Sequence, residues 1–118
     1  MIIPLALDHI HNMRNVGPLP SATHYGVAGV PGDGPFMELW FQVSGENIER
    51  GAYKTYGCPT SIACGSLIAE LLRGKPVATA HLWTEEDLKQ LIGEIPEGKG
   101  DCPPRAIAAL QSAFEKTT

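Results

Sequence analysis

The chain has few cysteines, no long apolar run and no excess of basic residues, and each of these absences argues against a common class of protein. Three cysteines among 118 residues are too few, and odd in number, for a disulfide framework. No apolar run approaches the roughly 18 residues of a membrane span, and residues 1–7 lack the basic leader and cleavage site of a signal peptide. Nine basic residues against 13 acidic ones give a net charge of −4, which disfavours nucleic-acid binding. We therefore expect a cytoplasmic protein with no membrane or nucleic-acid partner.

What the sequence does contain indicates one globular domain, residues 1–118. Hydrophobic residues make up 43% of the chain and charged residues 19%, a balance that is typical of folded proteins. Predicted strands come first, at 23–28, 36–43 and 48–55, and predicted helices lie at 5–14, 59–73, 84–92 and from 103 onward. This order predicts an α+β fold, in which helices pack on one face of a small antiparallel sheet of about three strands.

Local patterns support these elements. Residues 36–43 alternate between apolar and polar, which is the period of a half-buried strand. Thr84 and Asp87 have the spacing of a helix capping box. In the last helix Ile107 and Leu110 share one apolar face with Phe114, so we expect that face to be buried.

Two of the three cysteines share one context. Cys58 precedes Pro59 and Cys102 precedes Pro103, each at the predicted start of a helix. Free backbone N–H groups and the helix dipole favour a thiolate there, which suits a soft metal or a sulfur-transfer step. The alternative is that small cysteines happen to precede two prolines. Cys64 falls on another face of the helix, and we expect it to be a buried core residue.

The histidines form no obvious ligand set, because none shows the i, i+4 spacing of a helical metal site. We expect each of them at the surface or partly buried, and not as a ligand: His9, His11, His24 and His81. A nucleophilic cysteine would need one of them within hydrogen-bond reach as a base.

Three segments resemble the signatures of one family. They are Asp8-His9 with Asn12 and Arg14-Asn15-Val16-Gly17, then Thr55-Tyr56-Gly57-Cys58 with its following helix, and finally Asp101-Cys102 with the last helix. Their order and spacing are similar to those of the iron–sulfur cluster assembly scaffolds of the NifU N-terminal and IscU type. The resemblance covers about residues 8–114, which is nearly the whole chain.

This resemblance implies a scaffold or carrier and not an enzyme. Such proteins receive sulfur from a cysteine desulfurase and iron from an iron donor. They assemble a labile [2Fe–2S] cluster and pass it to acceptor apo-proteins. We expect a monomer or a weak homo-oligomer.

The resemblance also implies a ligand set of two cysteines and two aspartates. Cys58 and Cys102 match two of the family's cysteines, whereas Asp33 stands where the family has its first cysteine and Asp101 where it has a histidine. Pro35 replaces a loop aspartate. Carboxylates are harder ligands than thiolates and would hold a cluster or iron more weakly, and the same S₂O₂ set would suit Zn²⁺.

Two alternatives to a scaffold therefore stay open. One is a divergent paralogue that has lost cluster assembly and acts as a zinc-binding or protein-interaction module. The other is a thiol-dependent sulfur-transfer protein with Cys58 or Cys102 as its nucleophile.

Overall fold

The computed structural model describes residues 8–9, 15–32, 34–56, 59–93 and 102–114. Within these ranges the strands are β1 (His24–Gly29), β2 (Phe36–Ser44) and β3 (Asn47–Tyr56), and the helices that follow them are α1 (Pro59–Leu71), α2 (Val77–Leu82), α3 (Glu85–Ile92) and α4 (Cys102–Ala113). The predicted α+β class is confirmed. The helix expected at 5–14 lies outside the described residues except for Asp8 and His9, which are helical.

The sheet is antiparallel, with the strand order β1-β2-β3. In the central strand β2 the alternation of the sequence is realised, since Met37, Leu39 and Phe41 face the helices and are at most 1% exposed. Gly45 turns the chain between β2 and β3 with a φ of 63°, in the left-handed region that glycine enters without a steric penalty. The hairpin therefore fixes the register that keeps the apolar side chains on one face.

A segment ahead of β1 extends the sheet beside β3. Val16 forms a parallel bridge with Tyr53. The backbone N–H of Gly17 donates to the carbonyl of Tyr53 at 2.7 Å, and the N–H of Tyr53 donates to the carbonyl of Asn15 at 2.8 Å. These bonds pair the backbone groups of Tyr53 on the outer edge of β3, which would otherwise be left without partners there.

Two helices lie against the buried face of the sheet at very short range. A Cβ on Gly26 of β1 would come within 2.1 Å of the carbonyl oxygen of Ala109 in α4. A Cβ on Gly51 of β3 would come within 2.8 Å of the carbonyl oxygen of Ala69 in α1. Glycine at both places lets strand and helix backbones approach more closely than any other residue would allow.

Helix α1 is the central helix of the structure. It packs against β2, β3, α3 and α4, and its buried residues are Thr60, Ser61, Ala63, Cys64, Gly65, Ser66, Leu67, Ile68 and Ala69. Pro59 stands at its first position, where a missing backbone N–H costs nothing. With 13 residues, α1 is the longest described helix, and neither it nor any other described helix could cross a membrane.

Of the two shorter helices, the sequence predicts α3 but not α2. α3 begins with the expected capping box, in which Thr84 Oγ1 accepts from the Asp87 N–H and Asp87 Oδ2 accepts from the Thr84 N–H. α2 was not expected, because six residues are too short for a helical period to be recognised. It is secured instead by a distant contact, since the N–H of Val77 donates to the carbonyl of Glu46 at 2.7 Å.

Candidate metal-binding site

Cys102 is the one predicted ligand that lies within the described residues. It is the first residue of α4 and is 3% exposed. The two prolines that follow it suit the first turn of a helix, because they need no hydrogen-bond acceptor there. The sulfur is therefore presented at the start of a helix, as the sequence predicts.

The start of α1 meets the start of α4 at this sulfur. Ser61, the third residue of α1, donates its hydroxyl to Cys102 Sγ at 3.2 Å. Both residues are 3% exposed, so the bond is shielded from water. The packing of α1 on α4 thus brings together two segments that are 41 residues apart in the chain.

The other three predicted ligands, Asp33, Cys58 and Asp101, lie outside the described residues. Some of their sequence neighbours are described. A cavity of about 240 Å³ is lined by Gly32 and Gly34, the two neighbours of Asp33, and by Phe36 and Tyr56 from the paired ends of β2 and β3. Among the described residues alone, no group of three or more histidine, cysteine or acidic side chains is arranged to hold a metal ion.

Cys64 is buried, as expected. It is 0% exposed and belongs to the hydrophobic core. Its place in the middle of α1 makes it a packing residue, so it offers a matched control for the other thiols.

The expectation that His9 would be at the surface or partly buried is wrong. Its side chain is fully buried, with Nδ1 2.6 Å from Ser66 Oγ and Nε2 3.1 Å from Glu70 Oε2. Nε2 makes no hydrogen bond among the described residues, so its contact with Glu70 is one of proximity. Ser66 and Glu70 are four residues apart and so share one face of α1, where they hold His9 from both sides of its ring.

His24 and His81 lie far from Cys102. Both rings contact the ring of Phe114, with centroids 5.0 Å and 6.3 Å away respectively. Phe114 follows the last turn of α4, whereas Cys102 begins it, and 12 residues of helix span about 18 Å. These histidines are therefore not placed to act as a base for the Cys102 thiol.

Among the described residues, Ser61 contacts Cys102 although the sequence did not single it out. Its only local signal is a hydroxyl-bearing side chain in the first turn after Cys58-Pro59. The contact with Cys102 depends on how two helices pack, which residue spacing does not reveal.

Sequence comparisons find relatives over nearly the whole chain. The family model described as the NifU-like N terminal domain matches residues 4–117. The "iron-sulfur cluster assembly scaffold protein IscU" of Aquifex aeolicus is 36% identical over 111 residues, which cover 92% of this chain and 71% of that one. The protein of the same name from Escherichia coli is 34% identical over 112 residues, 92% of this chain and 87% of that one.

Solved structures support the fold. A putative iron–sulfur cluster assembly scaffold for the SUF system from Fervidobacterium islandicum superposes with a TM-score of 0.69 at 17% identity, covering 94% of both chains. A NifU-like N-terminal protein from Brucella abortus gives 0.57 at 16% identity, covering 92% of this chain and 76% of that one.

The three-stranded antiparallel sheet with its covering helices thus has the fold of these solved structures. The match over nearly the whole chain is more specific: this chain belongs to the NifU-like N-terminal domain family.

Proposed function

We propose that this protein is an iron–sulfur cluster assembly scaffold or carrier, which transiently holds a [2Fe–2S] cluster or its iron. The proposed ligands are Cys58, Cys102, Asp33 and Asp101. A cysteine desulfurase, an iron donor and acceptor apo-proteins are its proposed partners.

One observation carries the proposal, namely the meeting of two helix starts at the sulfur of Cys102. The 3.2 Å contact with Ser61 fixes the first turn of α1 beside this sulfur. Cys58 is only three residues ahead of Ser61, and a chain of that length reaches at most about 11 Å. Asp101 is the residue directly before Cys102. The packing of α1 on α4 therefore favours a common site for these three side chains.

The fourth ligand would come from the sheet side. Gly32, Gly34 and Tyr56 line one cavity, so the loop that carries Asp33 and the strand end that leads to Cys58 face the same space. The cavity, of about 240 Å³, has room for a small inorganic cargo.

The ligand chemistry favours a labile cargo. Thiolates bind iron strongly, whereas carboxylates are harder and would hold the iron of a cluster more weakly. A scaffold that must release its cluster gains from such weak ligands. Two cysteines would then bind the cluster firmly, while the weaker bonds to Asp33 and Asp101 would allow it to dissociate.

The same carboxylates favour a second candidate function. Two thiolates and two carboxylates are also an acceptable tetrahedral set for Zn²⁺, and a zinc-binding paralogue without assembly activity would keep this fold. Sulfur transfer is less well supported, since His24 and His81 contact Phe114 at the other end of α4.

Anaerobic reconstitution with iron, cysteine and a desulfurase tests the proposal. We expect iron and acid-labile sulfide in equal amounts, together with the visible absorption of a [2Fe–2S] cluster. Cys58→Ala and Cys102→Ala should abolish both. Cys64→Ala is the matched control, because it removes a thiol from the core of α1 and should leave the cluster in place.

A protein that takes up zinc but no iron or sulfide would contradict the scaffold proposal and favour the paralogue. Asp33→Cys provides a second test, since it restores a thiolate. We expect this variant to lose its cluster to an iron chelator more slowly than the wild-type protein.

A further inference from the structure

The contact between Ser61 and Cys102 has a consequence for any metal bound at the site. The hydroxyl lies 3.2 Å from the sulfur, and both groups are buried. A cysteine sulfur that binds a metal keeps lone pairs that can still accept a hydrogen bond. The Ser61 hydroxyl is therefore placed to stay bonded to Cys102 when the site is loaded.

Such a bond has two physical effects. It fixes the rotamer of the ligand, because an outer partner orients the side chain that binds the metal. It also withdraws negative charge from the sulfur, and hydrogen bonds to the sulfurs help to set the reduction potential of an iron–sulfur cluster. Less charge on the sulfur stabilises the reduced cluster and raises the potential.

We propose that Ser61 is a positioning residue, which donates a hydrogen bond to Cys102 Sγ, orients this sulfur toward the metal and raises the reduction potential of a cluster bound there. The inference rests on the proposed function, in that Cys102 must be a ligand.

A second buried hydroxyl of α1, that of Ser66, contacts a different residue. Ser66 is directed at the buried His9, with Oγ 2.6 Å from Nδ1. It lies five residues further along the helix, which places it on a different side. Ser66→Ala is consequently a matched control: the same substitution in the same helix removes a buried hydrogen bond that does not involve the site.

The test uses Ser61→Ala, Ser61→Thr and Ser66→Ala with two readouts. The first is Co²⁺ affinity, followed by the thiolate-to-cobalt charge-transfer absorption. The second is the reduction potential of the reconstituted cluster, measured by voltammetry. We expect Ser61→Ala to lower Co²⁺ affinity by about tenfold and to make the potential more negative. Ser61→Thr keeps a hydroxyl and should retain the wild-type Co²⁺ affinity and reduction potential. Ser66→Ala should change neither of these two quantities.

The outcomes separate this inference from the proposed function. Equal affinity and equal potential in Ser61→Ala and the wild-type protein would overturn the role of Ser61 and leave the scaffold in place. If the wild-type protein binds Co²⁺ but assembles no cluster, the scaffold function fails, and a tenfold loss in Ser61→Ala alone still supports the positioning role. A wild-type protein that binds neither would overturn both.

Discussion

Substituting Gly26 by alanine should disturb both the core and the candidate metal-binding site. The new Cβ would lie 2.1 Å from the carbonyl oxygen of Ala109 and 2.3 Å from the backbone nitrogen of Ala113, where ordinary contacts begin near 3.4 Å. Both atoms belong to the backbone of α4, so no side chain can rotate away. The helix would have to move from β1 by about 1 Å, and Cys102 begins this same helix.

Two opposing terms set the expected size of the effect. Overpacking of this kind costs roughly 1–3 kcal/mol, and a collision with backbone belongs at the upper end of that range. The φ of Gly26 is not positive, so alanine can adopt its backbone conformation. Alanine also lowers the conformational entropy of the unfolded chain, which stabilises the folded state by about 0.4–1 kcal/mol. We expect a net loss of about 2 kcal/mol, which corresponds to a fall in Tm of roughly 8 °C for a domain of this size.

Thermal unfolding of Gly26→Ala, followed by circular dichroism, measures this loss. The control is Val27→Ala, since Val27 points to the opposite face of the sheet and should cost less. Co²⁺ affinity should fall with Tm in Gly26→Ala, because displacement of α4 separates Cys102 from Ser61. A Tm within 2 °C or so of the wild-type value would refute the close packing of α4 on β1.

Three further predictions concern stability. The Tyr53 hydroxyl is buried and has no hydrogen-bond partner among the described residues. Tyr53→Phe should therefore leave the free energy of urea unfolding unchanged or raise it by up to about 1 kcal/mol. A clear loss of stability would contradict this prediction. Thr84→Ala removes the cap of α3 and should cost about 1 kcal/mol in the same assay, whereas Thr84→Ser should not. Burial, and then the hydrogen bond to Glu38, raise the pKa of Tyr25 to about 12 from 10.0. The stability that this phenol contributes is therefore present below pH 10 and lost toward pH 12, so Tyr25→Phe should flatten the decline of stability over that range.

Much of the fold could be predicted because its signals are local. The alternation along β2 and the cap at Thr84 each depend on a few neighbouring residues, and the structure confirms both. α2 depends instead on the bond from Val77 to the distant Glu46, so its six residues carry no comparable pattern.

The candidate site could be predicted only in part. Cys102 was identified from its place before a proline at a helix start, together with the family resemblance. The buried His9 contacts Ser66, which is 57 residues away in the chain. The contact of Ser61 with Cys102 likewise joins two separate helices. Residue types and spacing do not encode such contacts, because they arise only when the helices pack.

The most direct test of the central claim is X-ray absorption at the iron edge of the anaerobically reconstituted protein, beside Cys102→Ala and Cys64→Ala. We predict a mixed shell of sulfur and oxygen around iron in the wild-type protein and in Cys64→Ala, and no iron–sulfur signal in Cys102→Ala, which should bind no cluster. An all-oxygen shell in the wild-type protein, or a sulfur shell that persists without Cys102, would contradict the assignment of this site.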